Sequence, residues 1–187
     1  MALSTSDFRN GLKILLDGEP YTITYFQHVK PGKGGAFVRT KIKSLLSGKI
    51  IDKKFRTGDK LEEADIEERK MQYLYQDGES LVFMDNQTYD QTPFSGEAVG
   101  DGVKYLQENL DCDVLFWNGK PINVELPNFI IAEITDCEPG EKGDTASNVT
   151  KPATLETGAI VQVPLFIKQG EKIRVDTRSG EYVERVN

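Results

Sequence analysis

The sequence predicts an all-β chain of three small barrels, the first SH3-like and the next two OB-like. Three observations carry that reading. Short runs rich in β-branched and aromatic residues recur along the chain, and turn signals such as Asp17-Gly18, Asp77-Gly78 and Asn118-Gly119 punctuate them. No long stretch shows the 3.6-residue period of an amphipathic helix. The charge also changes character twice, which with the strand pattern places modules at residues 1–64, 65–127 and 128–187.

The first module opens with Ser6-Asp7-Phe8 and a strand at Lys13 to Leu16, and Asp17-Gly18 turns the chain into Tyr21 to Val29. A second run, Ala36 to Leu45, alternates in strand fashion. Ser47-Gly48 then leads into Lys49 to Arg56, whose Ile50, Ile51 and Phe55 are expected to supply apolar cover, and Thr57-Gly58-Asp59 ends the run. Four or so short strands in this space suit a small SH3-like barrel whose modest core leans on its neighbour.

Leu61 to Glu68, LEEADIEE, reads as a charged connector with a solvated face. Beyond it Met71, Tyr73 and Tyr75 alternate, Leu81 to Met84 returns, and a further strand falls around Thr88 to Gln91. Gly96 to Asn109 is the only helical stretch, and Gly100 and Gly102 limit it to two short pieces. Val114 to Trp117 and Ile122 to Glu125 make a hairpin about Asn118-Gly119, giving an OB-like count of five strands with Trp117 in the core. Leu126-Pro127-Asn128 marks the second boundary. The third module runs through Phe129 to Ile134, a polar loop at Glu138 to Asn148, Ala159 to Ile167, Lys172 to Thr177, and Tyr182 to Val186 after a Ser179-Gly180 turn.

Composition narrows the function. Cys112 and Cys137 are the only cysteines and His28 the only histidine, which excludes a disulfide framework and a Cys/His zinc site, so no metal is expected and both thiols read as reduced packing residues. The N-terminus has no apolar run of signal-peptide length and no segment approaches membrane-spanning length, so a cytoplasmic protein without a membrane partner is expected. The net charge of −7 hides a polarity. Residues 1–60 carry 12 basic and 5 acidic side chains (+7), residues 61–127 carry 4 and 15 (−11), and residues 128–187 carry 7 and 10 (−3). Only the first module should press on a polyanion.

The first module also holds the candidate site. Between its two long strands stands KPGKGG, with Pro31, Gly32, Gly34 and Gly35 around Lys33. Proline lacks a backbone donor and glycine reaches angles closed to other residues, so the chain turns sharply and leaves the Lys33 ammonium uncrowded. A nucleotide-binding phosphate loop is excluded, because it needs a glycine where Gln27 stands and a Ser or Thr where Gly34 stands. Two readings remain: a surface lysine on a polar turn, and an arm delivering one cation into a site on another molecule. The strand period favours the arm, since it sets Phe37, Arg39, Lys41 and Lys43 on one face and Val38, Thr40 and Ile42 on the other. With Lys30, those bases would neutralise phosphates and position the tip. No catalytic residue is assigned. An exposed tip lacks the buried pocket a Schiff-base lysine needs, and His28 has no Ser, Cys or carboxylate near it in sequence.

Together, the lysine-tipped hairpin, KPATLETGAIVQVPLFIKQG (fitting through Lys151, Ala153, Gly158, Val161, Val163, Pro164, Ile167 and Gly170), GDTA at Gly143 to Ala146 and the ending DTRSGEYV resemble bacterial translation elongation factor P over the whole chain. The resemblance implies a monomer whose three barrels form an L shape like a transfer RNA, bound to the 70S ribosome between the peptidyl and exit sites. It implies contact with ribosomal RNA and peptidyl-tRNA, and relief of stalling at consecutive prolines by peptidyl transferase stimulation. Lys33 takes the position of a tip lysine that is often modified, and Gly143, Asp144 and Thr145 that of a loop near the exit-site codon. Tyr182 and Arg185 lie in a terminal strand near RNA. No cofactor is implied; the context favours a β-lysyl group on Lys33 from a lysyl-tRNA-synthetase-like enzyme, with an aminopentanol-type adduct or bare lysine open. The alternative is a general RNA-binding barrel protein that does not act at the peptidyl transferase centre.

Overall fold

A computed structural model describes residues 2–139 and 149–187. The regular structure of the described residues is almost entirely strand, in three sheets: a six-stranded one followed by two of five. The strands are β1 (Ala2–Ser4), β2 (Lys13–Leu16), β3 (Glu19–Val29), β4 (Phe37–Ser44), β5 (Ile50–Arg56), β6 (Lys60–Glu63), β7 (Ile66–Asp77), β8 (Ser80–Asp85) and β9 (Gln91–Ser95). A helical turn α1 (Gly96–Val99) and a 3-10 segment (Gly100–Tyr105) precede β10 (Asp111–Trp117), β11 (Lys120–Glu125), β12 (Phe129–Cys137), β13 (Thr150–Leu155), β14 (Ile160–Pro164), β15 (Lys172–Asp176) and β16 (Glu181–Val186). The sheets run β1-β6-β2-β3-β4-β5, β11-β10-β7-β8-β9 and β14-β13-β12-β15-β16. The chain divides into two compact units, Met1–Arg69 with Val114–Asn123 and Lys70–Asp113 with Val124–Asn187.

In the first unit, Asp17 (φ 53°) and Gly18 (φ 79°) close the β2–β3 hairpin in two residues, the left-handed geometry that matches strand twist. The core gathers Leu3, Phe8, Leu12, Ile14, Ile23, Val38, Ile42 and Phe55, with Phe8 edge-on to Phe55 at 5.3 Å. A bulge at Thr24 shifts the register of β3 against β4, so the side chains facing the core change from Tyr21 and Ile23 to Phe26. The Thr24 hydroxyl donates to the Lys41 carbonyl at 3.2 Å across it. Without that extra residue Phe26 would leave the core.

Several expectations for this unit change. Ile50 and Ile51 are 60% and 41% exposed; of the three apolar residues expected to cover the core from β5, only Phe55 does. β5 is the outer strand of its sheet, and Ile50 and Ile51 at its start stay in water. The charged connector is mostly strand: β6 pairs with β1 and β2, and β7 begins at Ile66. Its acidic side chains are exposed while Ala64 is buried, and a charged outward face had concealed the strand period.

In the second unit Phe83 stacks on Phe94 at 4.8 Å, and Met71 is buried with them. The strand expected around Thr88 begins at Gln91, because Asp85 to Asp90 is a closed turn. The helical stretch is two short pieces, as its glycines require. The third sheet encloses Ile130, Ala132, Ile134, Leu155, Val161, Val163, Ile167, Ile173 and Val175. Tyr105, at the end of the 3-10 segment, is buried in that same core. A Cβ on Gly180 would stand 2.7 Å from its hydroxyl, so glycine is required there. Gln107 Nε2 donates to the Ile131 carbonyl at 2.7 Å and to Glu156 Oε1 at 3.1 Å. The signature segment Thr150–Leu155 is a strand that the sequence pattern left unmarked.

Trp117 is half-buried rather than core. Both cysteines are free; burial, reinforced by Asp111 and Asp113, pushes the buried Cys112 thiol up to about 12, which keeps it an inert packing group. Among the described residues no helix is long and apolar enough to cross a membrane. Phe55→Ala should cost about 3–5 kcal/mol, and Ile50→Thr less than about 0.5 kcal/mol. Urea unfolding of the two variants beside the parent checks both.

Candidate nucleic-acid interface

The site is built on three strands and one turn, all in the first unit. Antiparallel register sets outward rows across β3, β4 and β5: Val29–Phe37–Arg56, Gln27–Arg39–Lys54, Tyr25–Lys41–Asp52 and Thr22–Lys43–Ile50. Five cations and one carboxylate therefore share a single face. The alternate residues of β4, Val38, Thr40, Ile42 and Ser44, are all buried. Arg39 and Lys41 are exposed and Lys43 is half-buried, as the period of two requires.

Lys54 and Arg56 were missed as face residues because β5 was read for its apolar positions. Counting by twos from Ile50 finds them, since Ile50, Asp52, Lys54 and Arg56 must point the same way. Lys54 Nζ lies 4.1 Å from the centre of the Phe37 ring, a cation–π contact that fixes the ammonium over the face. Two shallow hollows open there. One of about 450 Å³ is lined by Phe37, Arg39, Asp52, Lys53 and Lys54, and the other, about 500 Å³, by Gly35, Ala36, Phe37, Lys54, Arg56 and Thr57. Basic groups on either side of a half-buried aromatic suit a phosphate backbone and a base.

The turn beyond these rows is open on every side. Lys30, Pro31, Gly32, Lys33, Gly34 and Gly35 are all exposed, and no hydrogen bond or ion pair among the described residues holds the Lys33 ammonium. Only Gly34, at φ 96°, uses an angle closed to L side chains; Gly32 and Gly35 do not, and a Cβ on either would meet open space. His28 is exposed and edge-on to Phe26 at 5.8 Å.

Thus Lys30, Lys33, Arg39, Lys41 and Lys43 share one arm. Tyr182 and Arg185 belong to the second unit. Tyr182 packs half-buried against the third core, which raises its phenol above the ordinary value. Arg185 reaches Glu171 Oε1 at 3.4 Å and lies 5.8 Å from the Phe166 ring. Gly143, Asp144 and Thr145 lie outside the described residues. Among the described residues no group of three or more His, Cys, Asp or Glu side chains could hold a metal.

Three family models match in succession: "Elongation factor P (EF-P) KOW-like domain" over residues 4–61, "Elongation factor P (EF-P) OB domain" over 66–124 and "Elongation factor P, C-terminal" over 122–185. Elongation factor P of Desulfitobacterium hafniense is 55% identical over 183 residues, covering 98% of this chain and 99% of the relative. That of Pelotomaculum thermopropionicum is 56% identical over 184 residues, covering 98% and 100%. Among solved structures, eukaryotic translation initiation factor 5A from Methanococcus jannaschii matches with a TM-score of 0.51 and 25% identity, over 66% of this chain and 95% of that one. A translation initiation factor eif-5a family protein from Naegleria fowleri, 15% identical with a TM-score of 0.52 over 67% and 98%, shares the fold.

The backbone angles separate the glycines of the tip. Gly34→Ala should strain the turn by about 1–3 kcal/mol and move the amide resonances of residues 30–36, whereas Gly35→Ala should leave them in place; two-dimensional NMR of the variants distinguishes the two.

Proposed function

The chain belongs to the elongation factor P family and is a translation elongation factor, and from that premise we propose that it binds the 70S ribosome between the peptidyl and exit sites and relieves stalling at consecutive prolines. The observation that carries this is the unburdened Lys33 amine beyond a face of five cations. In this reading Arg39, Lys41, Lys43, Lys54 and Arg56, with Lys30 at the loop, take the phosphates of peptidyl-tRNA and ribosomal RNA. Lys33 then lies beside the reacting end of the transfer RNA. Residues 1–64, 65–127 and 128–187 act as separate modules, with Gly143, Asp144 and Thr145 toward the exit-site codon of the messenger and Tyr182 and Arg185 toward RNA.

Proline explains why such help is needed. Its ring locks φ and makes the nucleophile a secondary amine, so a prolyl donor or acceptor reaches attacking geometry poorly. Binding energy spent on fixing the end of the peptidyl-tRNA lowers the entropic cost of alignment, while the ribosome performs the bond-making. The protein is a positioning device and not an enzyme. A β-lysyl group joined to Lys33 by an amide would carry a primary amine further along the same line.

The rival is an RNA-binding barrel that acts away from the peptidyl transferase centre. The strongly acidic middle of the sequence favours the first reading, since −11 over residues 61–127 opposes indiscriminate binding to naked RNA.

Lys33→Ala should leave the unfolding transition unchanged and abolish rescue in a polyproline reporter; full rescue by that variant contradicts the reading. Intact-mass spectrometry of protein from the native source should show one added group on Lys33. In a ribosome-binding titration, Lys54→Gln with Arg56→Gln should lower the slope of log affinity against log salt by roughly one to two.

A further inference from the structure

Among the described residues four without a glycine's freedom have positive φ: Asp17 (53°), Asn109 (69°), Asn118 (52°) and Tyr89 (63°). Asp and Asn tolerate the left-handed region because their short polar side chains bond locally. A tyrosine has no such compensation, and burial does not supply one, since Tyr89 is 71% exposed. Strain at a bulky residue persists only where its surroundings over-determine it.

The surroundings do so. The turn from β8 to β9 is organised by Asp85, which is 8% exposed. Its Oδ1 accepts the backbone N–H groups of Gln87 at 2.8 Å and Thr88 at 3.2 Å. Its carbonyl accepts the Tyr89 N–H at 2.9 Å, and its own N–H donates to the Asp90 carbonyl at 2.9 Å. Thr88 Oγ1 accepts the Asp90 N–H at 3.3 Å. The base is tied down as well, because the Asn86 N–H donates to the Lys70 carbonyl at 3.2 Å and its amide Nδ2 to Asp111 Oδ1 at 3.1 Å. The network holds the backbone at position 89 and leaves the tyrosine ring in water.

With the backbone of the turn held, an exposed tyrosine keeps only two side-chain torsions to lose when a partner closes over it, which suits it to anchor an interface. Charge selects the partner. The exposed Asp90 follows Tyr89 in the chain, Asp111 braces the turn, and the sequence around them is the acidic third of the chain, which a polyanion would avoid. We propose that Tyr89 is a preorganised anchor for a basic protein surface, its ring entering an apolar pocket whose Lys/Arg rim meets the flanking carboxylates. The partner's place is on the ribosome, so this inference rests on the function proposed above.

The test uses the full chain, purified 70S ribosomes and two variants. Tyr89→Asn removes the ring and relieves the backbone, so its melting temperature should be no lower than the parent's while its affinity for 70S ribosomes falls by about tenfold or more. Tyr89→Phe should bind within about twofold of the parent. A photo-reactive benzoylphenylalanine at position 89 should cross-link to a basic ribosomal protein. Unchanged affinity in Tyr89→Asn, a lowered melting temperature that shows the ring serving the fold, or a cross-link to ribosomal RNA overturns the proposal. Failure of the parent itself to bind ribosomes would instead remove the functional reading on which it rests.

Discussion

The candidate site depends on one constraint, the antiparallel register of β4 between β3 and β5. With Val38, Thr40, Ile42 and Ser44 buried, a period of two leaves Phe37, Arg39, Lys41 and Lys43 no direction but outward. Each outward residue meets its partners on both sides, so Lys54 and Arg56 join the same surface without any separate instruction. Crowding five cations on one face is unfavourable in isolation, and the apolar core behind it supplies the compensating energy. A site designed by folding alone would not segregate charge this way.

The arm and its tip divide the work between stiffness and freedom. β3 and β4 stay paired from Tyr21 and Ser44 up to Val29 and Phe37, and β5 backs β4 along its length. Only residues 30–36 lie beyond the ladder. The bulge at Thr24 bends β3 and returns Phe26 to the core, so the upper arm packs even though its register has slipped. An amine presented from such a base loses little further freedom when a second molecule surrounds it. The acidic remainder of the chain then limits where the basic face can bind.

Much of this was legible in the residues themselves. The Lys33 hairpin, the alternation in β4, the Asn118-Gly119 turn and the interrupted helix follow from local chemistry, and all stand where the sequence pattern put them. What the pattern hid were strands with unusual faces. β6 and the start of β7 carry glutamates outward and so resembled a linker, while Ile50 and Ile51 looked like core but sit on an outer strand. Lys54 and Arg56 were obscured by the same misreading, because pairing partners in a sheet are not visible from one strand. The burial of Tyr105 in the third core and the left-handed backbone of Tyr89 are tertiary facts with no local signal.

The central claim is that the arm carries the Lys33 amine into a reaction site belonging to another assembly. A cryo-electron microscopy reconstruction of the protein bound to 70S ribosomes stalled on consecutive prolines tests it most directly. The Lys33 side chain should lie beside the 3′ end of the peptidyl-tRNA, with Arg39, Lys54 and Arg56 against phosphates. An arm directed into solvent, or a basic face turned away from RNA, would contradict it.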